Sequence, residues 1–180
     1  MLNFYKAEVI DASTIAQLIN GAYRGETSRA GWTTEADLLD GLRTTPKEVT
    51  ANIKRQDAFI LIGVLRDEIV ATICCEQHEN TARFGMIAVK PSLQNKGHGK
   101  QMIAAAEAMT LREWRVAGFY MSVISIRDEL IAFYGRLGYL RTGTFADFPI
   151  KSDLWQPKVE GLTLEYLAKV IERQRVEISR

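Results

Sequence analysis

Apolar positions recur along the 180-residue chain with two different periods, and the switches between them mark out the elements. Residues 2–9 alternate as a short strand. Ile15, Leu18, Ile19 and Ala22 then fall at helical spacing behind Asp11 or Ser13 as N-cap, with Gly25 as the stop. The stretch from Gly25 to Pro46 loses periodicity around a lone Trp32. The capping pattern of Thr34, Glu35 and Asp37 permits a short helix within it. Two apolar runs, "AFILIGVL" and "IVATICCE", flank "RDE" as the arms of a hairpin, and a third, "RFGMIAV", ends at Pro91. From Gly97 the period is helical, with Met102, Ala105, Ala106 and Met109 on one stripe to about Arg115 and Gly118 closing the helix. "FYMSVI" reads as a strand. "RDELIAFYGRLGY" reads as a helix that presents Leu130, Phe133, Tyr134 and Leu137 and closes at Gly138. In the tail, Leu162, Leu164, Tyr166 and Ala168 alternate as a final strand, with a short helix as the rival. Strands and helices in this order predict an α/β fold: a mixed, mostly antiparallel twisted sheet of about seven strands flanked by helices.

The length suits one domain over residues 1–180, since no linker, repeat or low-complexity stretch divides it. Lys and Arg number 23 against 22 Asp and Glu, for a net charge of +1, so no basic footprint for nucleic acid or an anionic membrane is expected. Nowhere do 18 apolar residues run together, and the N-terminal stretch lacks a secretory apolar segment, so a cytoplasmic protein is expected. The adjacent Cys74 and Cys75 lie within an apolar run. That placement suits strand filler in a reducing compartment, and neither a disulfide nor a metal site is expected.

The densest chemistry lies in "PSLQNKGHGKQMI", residues 91–103, at the entrance to the long helix. A helix mouth offers unpaired N–H groups and a positive dipole end, and glycines let a large anion approach the backbone, so the turn suits a phosphate or pyrophosphate. It is not a Walker loop, because Gln101 follows Gly99-Lys100 and Leu93 stands where the first glycine is needed. The dinucleotide pattern fails as well, since Met102 occupies its third glycine position. The pattern Gln94-x-x-Gly97-x-Gly99 resembles the Q/R-x-x-G-x-G/A acetyl-CoA signature of the GNAT superfamily of N-acetyltransferases. "ELIAFYGRLGY", residues 129–139, resembles that family's A-x-x-F-Y-x-x-x-G-F/Y segment.

The resemblance implies a GNAT-like fold and an enzyme that moves an acetyl group from acetyl-CoA to a primary amine, without a metal. It makes Ile87, Ala88 and Val89 the strand that pairs with the pantetheine arm. Gln94, Asn95, Lys96, Gly97, His98, Gly99 and Lys100 become the pyrophosphate site. Tyr134 becomes the acid that protonates the departing thiolate, as a phenol that stays protonated at neutral pH can. Arg127 stands where several members carry Asn, and a guanidinium there could reach a phosphate. Arg83 stands where others carry a glutamate base. Arginine cannot act as a base, so Glu76 on the neighbouring strand is the candidate. Tyr23, Arg24, Glu26, Trp32, Thr33 and Glu35 fall in the region where the family binds its acceptor. The near-neutral charge favours a small-molecule amine, with a protein N-terminus or lysine, or a non-catalytic acyl-CoA module, as alternatives; a monomer or homodimer is expected.

Overall fold

The "RDE" connection closes a tight hairpin between β3 (Ala58–Leu65) and β4 (Glu68–His78). Its two loop residues, Arg66 and Asp67, both adopt positive φ (50° and 64°), the twist that two-residue hairpins favour. A second two-residue turn joins β4 to β5 (Thr81–Val89), again antiparallel. In this computed structural model, which describes residues 1–151 and 153–171, these three strands form the sheet centre.

β1 (Asn3–Lys6) adds to the β3 edge. On the other side β6 (Gly118–Ile124) pairs parallel with β5, and β9 (Thr163–Val170) and β7 (Leu140–Asp147) complete a seven-stranded sheet of order β1-β3-β4-β5-β6-β9-β7. Every pairing except β5 with β6 is antiparallel, so the sheet is the mostly antiparallel one expected. A two-stranded ribbon of β2 (Leu39–Gly41) and β8 (Trp155–Pro157) stands apart from it.

Both faces of the central strands are covered, which is why their sequences run apolar without alternation. Ile60, Ile62 and Cys74 point toward α1 (Ala12–Tyr23) and α3 (Pro46–Lys54), where Ile15, Ile19 and Val49 complete one core. Leu61, Ile73, Cys75 and Phe84 point the other way. They pack with Met102, Ile103 and Ala106 of α4 (His98–Glu113) and with Leu130, Ile131 and Tyr134 of α5 (Asp128–Gly135). Among the described residues no helix is long and apolar enough to cross a membrane.

Several details differ from the sequence reading. The segment after Thr34 does not form a helix. The Thr34 hydroxyl accepts the Ala36 N–H at 3.2 Å in a local turn, and the helix of this region is instead the four-residue α2 (Gly25–Ser28), which Gly25 opens. α3 is an additional helix: Thr45-Pro46-x-Glu48 is a helix-start signature, and the Thr45 hydroxyl accepts the Glu48 N–H at 3.2 Å. Gly118 does not close α4, which ends at Glu113. Gly118 opens β6, where a Cβ would sit 2.8 Å from the Lys169 carbonyl oxygen. In β9 the inward positions are Glu165 and Leu167, and Glu165 is held by the guanidinium of Arg141 through two hydrogen bonds of 2.8 Å.

The core also holds acidic hydroxyls and thiols whose charged forms it disfavours. Burial, followed by the nearby Glu76 charge, pushes the Cys74 thiol up to about 12, and burial pushes the Cys75 thiol up as well. Burial, and then Glu35, pushes Tyr23 up to about 12. Groups whose folded pKa is raised stabilise the fold fully below their unfolded pKa and lose that contribution as pH climbs toward the folded value. Stability is therefore expected to fall above about pH 9, where unfolded cysteines and then tyrosines ionise, by up to about 1.4 kcal/mol per pH unit for each group. Urea midpoints from pH 8 to 11 check this, and a flat profile contradicts it.

Candidate active site

β5 and β6 are hydrogen-bonded neighbours only at their starts, from Thr81↔Gly118 to Arg83↔Tyr120. β6 continues against β9 as far as Ile124, whereas β5 leaves it. The cause lies in β5. Its register with β4 shifts between Thr72↔Ala88 and Cys74↔Gly85, so that Met86 and Ile87 together oppose Ile73, and Met86 takes a φ of 48°. A bulge of this kind bends its strand. From Phe84 to Val89 the β5 edge then faces a gap with no strand partner on the β6 side.

Two hollows open on this gap. One, of about 510 Å³, lies between the start of α4 and α5 and is lined by Trp32, Thr33, Val89, Gln94, Asn95, Gly97, Gly99, Lys100, Phe133 and Tyr134, among others. The second, of about 320 Å³, lies in the splay itself, bordered by Glu76, Arg83, Met86, Met121, Val123, Arg43 and Trp155. Tyr23, Ile87, Leu130 and Tyr134 line both and so mark the place where they meet. The Tyr23 hydroxyl donates to the Ile87 carbonyl oxygen, which satisfies one backbone acceptor of the opened edge. Burial pushes the Tyr134 phenol well above its ordinary value, so it stays protonated. Its hydroxyl makes no hydrogen bond among the described residues.

The mouth of the α4–α5 cleft is built by the glycine turn. Gly97 is the N-cap of α4 with φ 80°, a left-handed conformation that favours glycine and aims the first N–H groups of the helix outward. Gly99 is already helical, so its role is space: a Cβ there would lie 3.4 Å from Phe133 and 3.9 Å from Val89, inside the narrow part of the cleft. Lys100 supplies positive charge at the rim. Backbone N–H groups, two glycines and a cation make a donor set that fits a pyrophosphate.

Gln94 does something the motif did not suggest. Its side-chain oxygen accepts the Trp32 N–H at 2.9 Å, and its amide nitrogen donates to the Thr33 hydroxyl at 2.9 Å and the Val89 carbonyl at 3.0 Å. The side chain is thus a strut between the turn, the end of β5 and the Trp32 segment. Trp32 and Thr33, expected on the acceptor side, consequently line the α4–α5 cleft, where the Trp32 ring packs edge-on against Phe133 at 5.6 Å.

Other expected site residues also take different places. Arg127 does not line the cleft mouth. It turns inward, donating to the Trp32 carbonyl at 3.4 Å and lying 3.8 Å from Glu35, because Glu35 and Trp32 are the acceptors within its reach. Arg24 lines neither hollow, being buried in an ion pair with Glu35. Glu26 lies on the surface with Arg29 at 3.0 Å. The Ala88 side chain packs into the α1-side core, and neither Lys96 nor His98 lines the cleft. Glu35 and Glu76 do border the splay cavity. Glu35 is tied to Arg24, whereas Glu76 has Arg55, His78 and Arg83 at 3.3, 3.6 and 3.8 Å. Arg43, Trp155, Phe148 and Lys151 of the cavity wall come from segments in which the sequence carried no motif.

The geometry can be set beside known proteins. Residues 56–141, which span β3 to the start of β7, match the family model described as an acetyltransferase (GNAT) domain. No curated protein matches the chain in sequence. The fold is similar to that of the ribosomal-protein-S18-alanine N-acetyltransferase from Escherichia coli (16% identity, TM-score 0.68, covering 100% of this chain and 100% of that chain). It is also similar to an acetyltransferase of the GNAT family from Streptococcus pneumoniae (15%, 0.68, 95% and 100%). A third similar structure is yncA from Salmonella typhimurium, solved with its cofactor acetyl-CoA (16%, 0.67, 97% and 96%). These structural likenesses, at such low identity, speak for the fold, and the family match covers β5, the glycine turn, α4 and α5 but not α1, the Trp32 segment or β8. Over residues 56–141 the chain is thus similar to the GNAT acetyltransferase domain, and its fold is one that GNAT acetyltransferases share.

Proposed function

We propose that the protein is an N-acetyltransferase that moves an acetyl group from acetyl-CoA to the primary amine of a small molecule by direct attack in a ternary complex. The observation that carries this reading is the meeting of two hollows at the β5–β6 gap, one walled by the glycine turn and one by polar and aromatic side chains. Bound acetyl-CoA supplies an activated thioester; the chain supplies position and proton traffic. The first turn of α4, with Gly97, Gly99 and Lys100, holds the phosphates. The opened β5 edge from Phe84 to Val89 offers backbone groups to the pantetheine arm. Tyr134, buried and protonated, gives its phenolic proton to the departing sulfur.

Glu76 takes the amine proton. Of the two carboxylates on the splay cavity it is the less engaged, since Glu35 is hydrogen-bonded to Arg24 and Glu76 meets its cations only at 3.3 Å or more. A covalent relay through cysteine has no support: Cys74 and Cys75 are fully buried, and burial raises both thiols.

Three measurements test the reading. Acetyl-CoA at about 100 times its Kd should stabilise the protein by about 2.7 kcal/mol and raise its melting temperature, while ATP and NAD should not. A shift with ATP or NAD and none with acetyl-CoA refutes it. Gly99→Val should leave the fold intact and abolish acetyl-CoA binding by calorimetry, because the branched side chain fills the space between Phe133 and Val89. Unchanged affinity places the phosphates elsewhere. Tyr134→Phe keeps the ring and removes the O–H, so cofactor binding should persist while kcat falls by about 10²-fold. Equal turnover with an accepted amine removes Tyr134 from the mechanism.

A further inference from the structure

Cations outnumber carboxylates around the splay cavity, and one of them stands without an acidic neighbour among the described residues. Glu35 is neutralised by Arg24, with Arg127 close by; Glu76 has Arg55, His78 and Arg83 around it; Lys151 is bound to Glu48 at 2.9 Å. Arg43, half-buried on the same wall, has no carboxylate within 4 Å among the described residues. An arginine withdrawn from bulk water without an anion has a guanidinium fork ready for one, with donors spaced to grip a carboxylate in two places.

The backbone at Arg43 is held in place. Asn20 on α1 accepts the N–H groups of Arg43 at 2.7 Å and Thr44 at 3.1 Å through one oxygen, and donates to the Thr44 carbonyl at 3.0 Å. The backbone that carries the guanidinium is thereby clamped on both sides. The guanidinium carbon stands 6.0 Å from the ring centre of Trp155, whose indole is itself fixed by donation to the Pro149 carbonyl at 3.0 Å. Such preorganisation reduces the ordering entropy that a ligand must overcome. The same cavity is also lined by the apolar Met121, Val123, Phe148 and Leu164, and it shares Ile87 and Tyr134 with the α4–α5 cleft at the gap.

We propose that Arg43 is the carboxylate-binding residue of the acceptor site, and that the acceptor is an amino-acid-like compound carrying a free carboxylate beside its amine and an apolar side group. The proposal rests on the acetyltransferase reading above. The Arg43 fork holds the carboxylate, Trp155 and its apolar neighbours receive the side group, and the amine is left facing the β5–β6 gap. A cavity of about 320 Å³ admits a compound of this size. A protein N-terminus has no carboxylate next to its amine and leaves Arg43 unanswered.

The test pairs the twenty common α-amino acids with their α-amides and follows CoA release from acetyl-CoA. With wild-type protein the best acid should exceed its amide in kcat/KM by about 10- to 100-fold, the range of one charge-assisted hydrogen-bonded pair. In Arg43→Gln that preference should collapse toward one, chiefly through a higher KM for the acid. Equal use of acid and amide by the wild-type protein overturns the proposal and leaves the acetyltransferase reading standing, as does an acid preference that survives in Arg43→Gln. If Arg43→Gln does not fold, Arg43→Lys, which keeps the charge and loses the fork, takes its place, and an undiminished acid preference in it overturns the proposal. If no amine releases CoA, calorimetry of N-acetyl amino acids and their amides against CoA-saturated protein separates the two ideas. Carboxylate-dependent binding that Arg43→Gln loses supports the assignment of Arg43; binding of neither form, or of both alike, overturns the proposal.

Discussion

Two parallel strands stay hydrogen-bonded only while both keep the same pleat, and the bulge at Met86–Ile87 breaks that condition on one of them. The two hollows and the free strand edge between them depend on the resulting divergence. Had β5 followed β6 to its end, its backbone would be satisfied inside the sheet and the space between the strands would be filled. The departure leaves a polar strand edge, a cleft on the α4–α5 side and a cavity toward β8, all joined at one place. Met86 sustains a left-handed conformation that non-glycine residues rarely adopt, a strain of roughly 1–2 kcal/mol that the surrounding hairpin must offset. The flanking order compensates: β4 pairs with β5 on both sides of the bulge, and α1 packs against it.

The Trp32 segment is ordered by polar contacts rather than by a core of its own. Gln94 holds it from the glycine turn, Arg127 from the N-terminus of α5, and the buried Arg24–Glu35 pair anchors its two sides. An ion pair so deep contributes little net stability, because desolvation offsets most of the attraction, but removing either partner leaves an uncompensated charge. Its value is positional. With Glu35 engaged, Tyr23 is free to reach the Ile87 carbonyl, and the floor of both hollows is set by a hydroxyl that already has its acceptor.

Much of this architecture was legible in the residues, and the limits have physical reasons. Strands buried on both faces and helices with a clear stripe announce themselves, and so do glycines at a helix mouth; hence β3, β4, β5, α4, α5 and the glycine turn were readable. β7 was not, because it lies almost wholly exposed at the sheet edge and "LRTGTFAD" has no apolar alternation. The direction of a side chain was equally hidden. Gln94 fits a cofactor signature, yet its amide faces the protein, and Arg127 turns inward to Glu35 rather than to the glycine turn. Trp155 and Arg43 come together because β8 pairs with β2 across more than a hundred residues, a contact for which no local pattern exists.

The two cysteines at the sheet centre give the protein an internal clock. Cys74 and Cys75 point to opposite faces of β4, one into each core layer, and neither has surface through which a reagent could arrive. Only the thiolate reacts, and inside the fold that form is suppressed twice, by inaccessibility and by the raised thiol pKa. Chemical labelling must therefore wait for an opening that separates a helix layer from the sheet. Because the two thiols report on different layers, the ratio of their labelling rates distinguishes loss of the α1–α3 layer from loss of the α4–α5 layer, and equal rates mean that both come apart in one cooperative step.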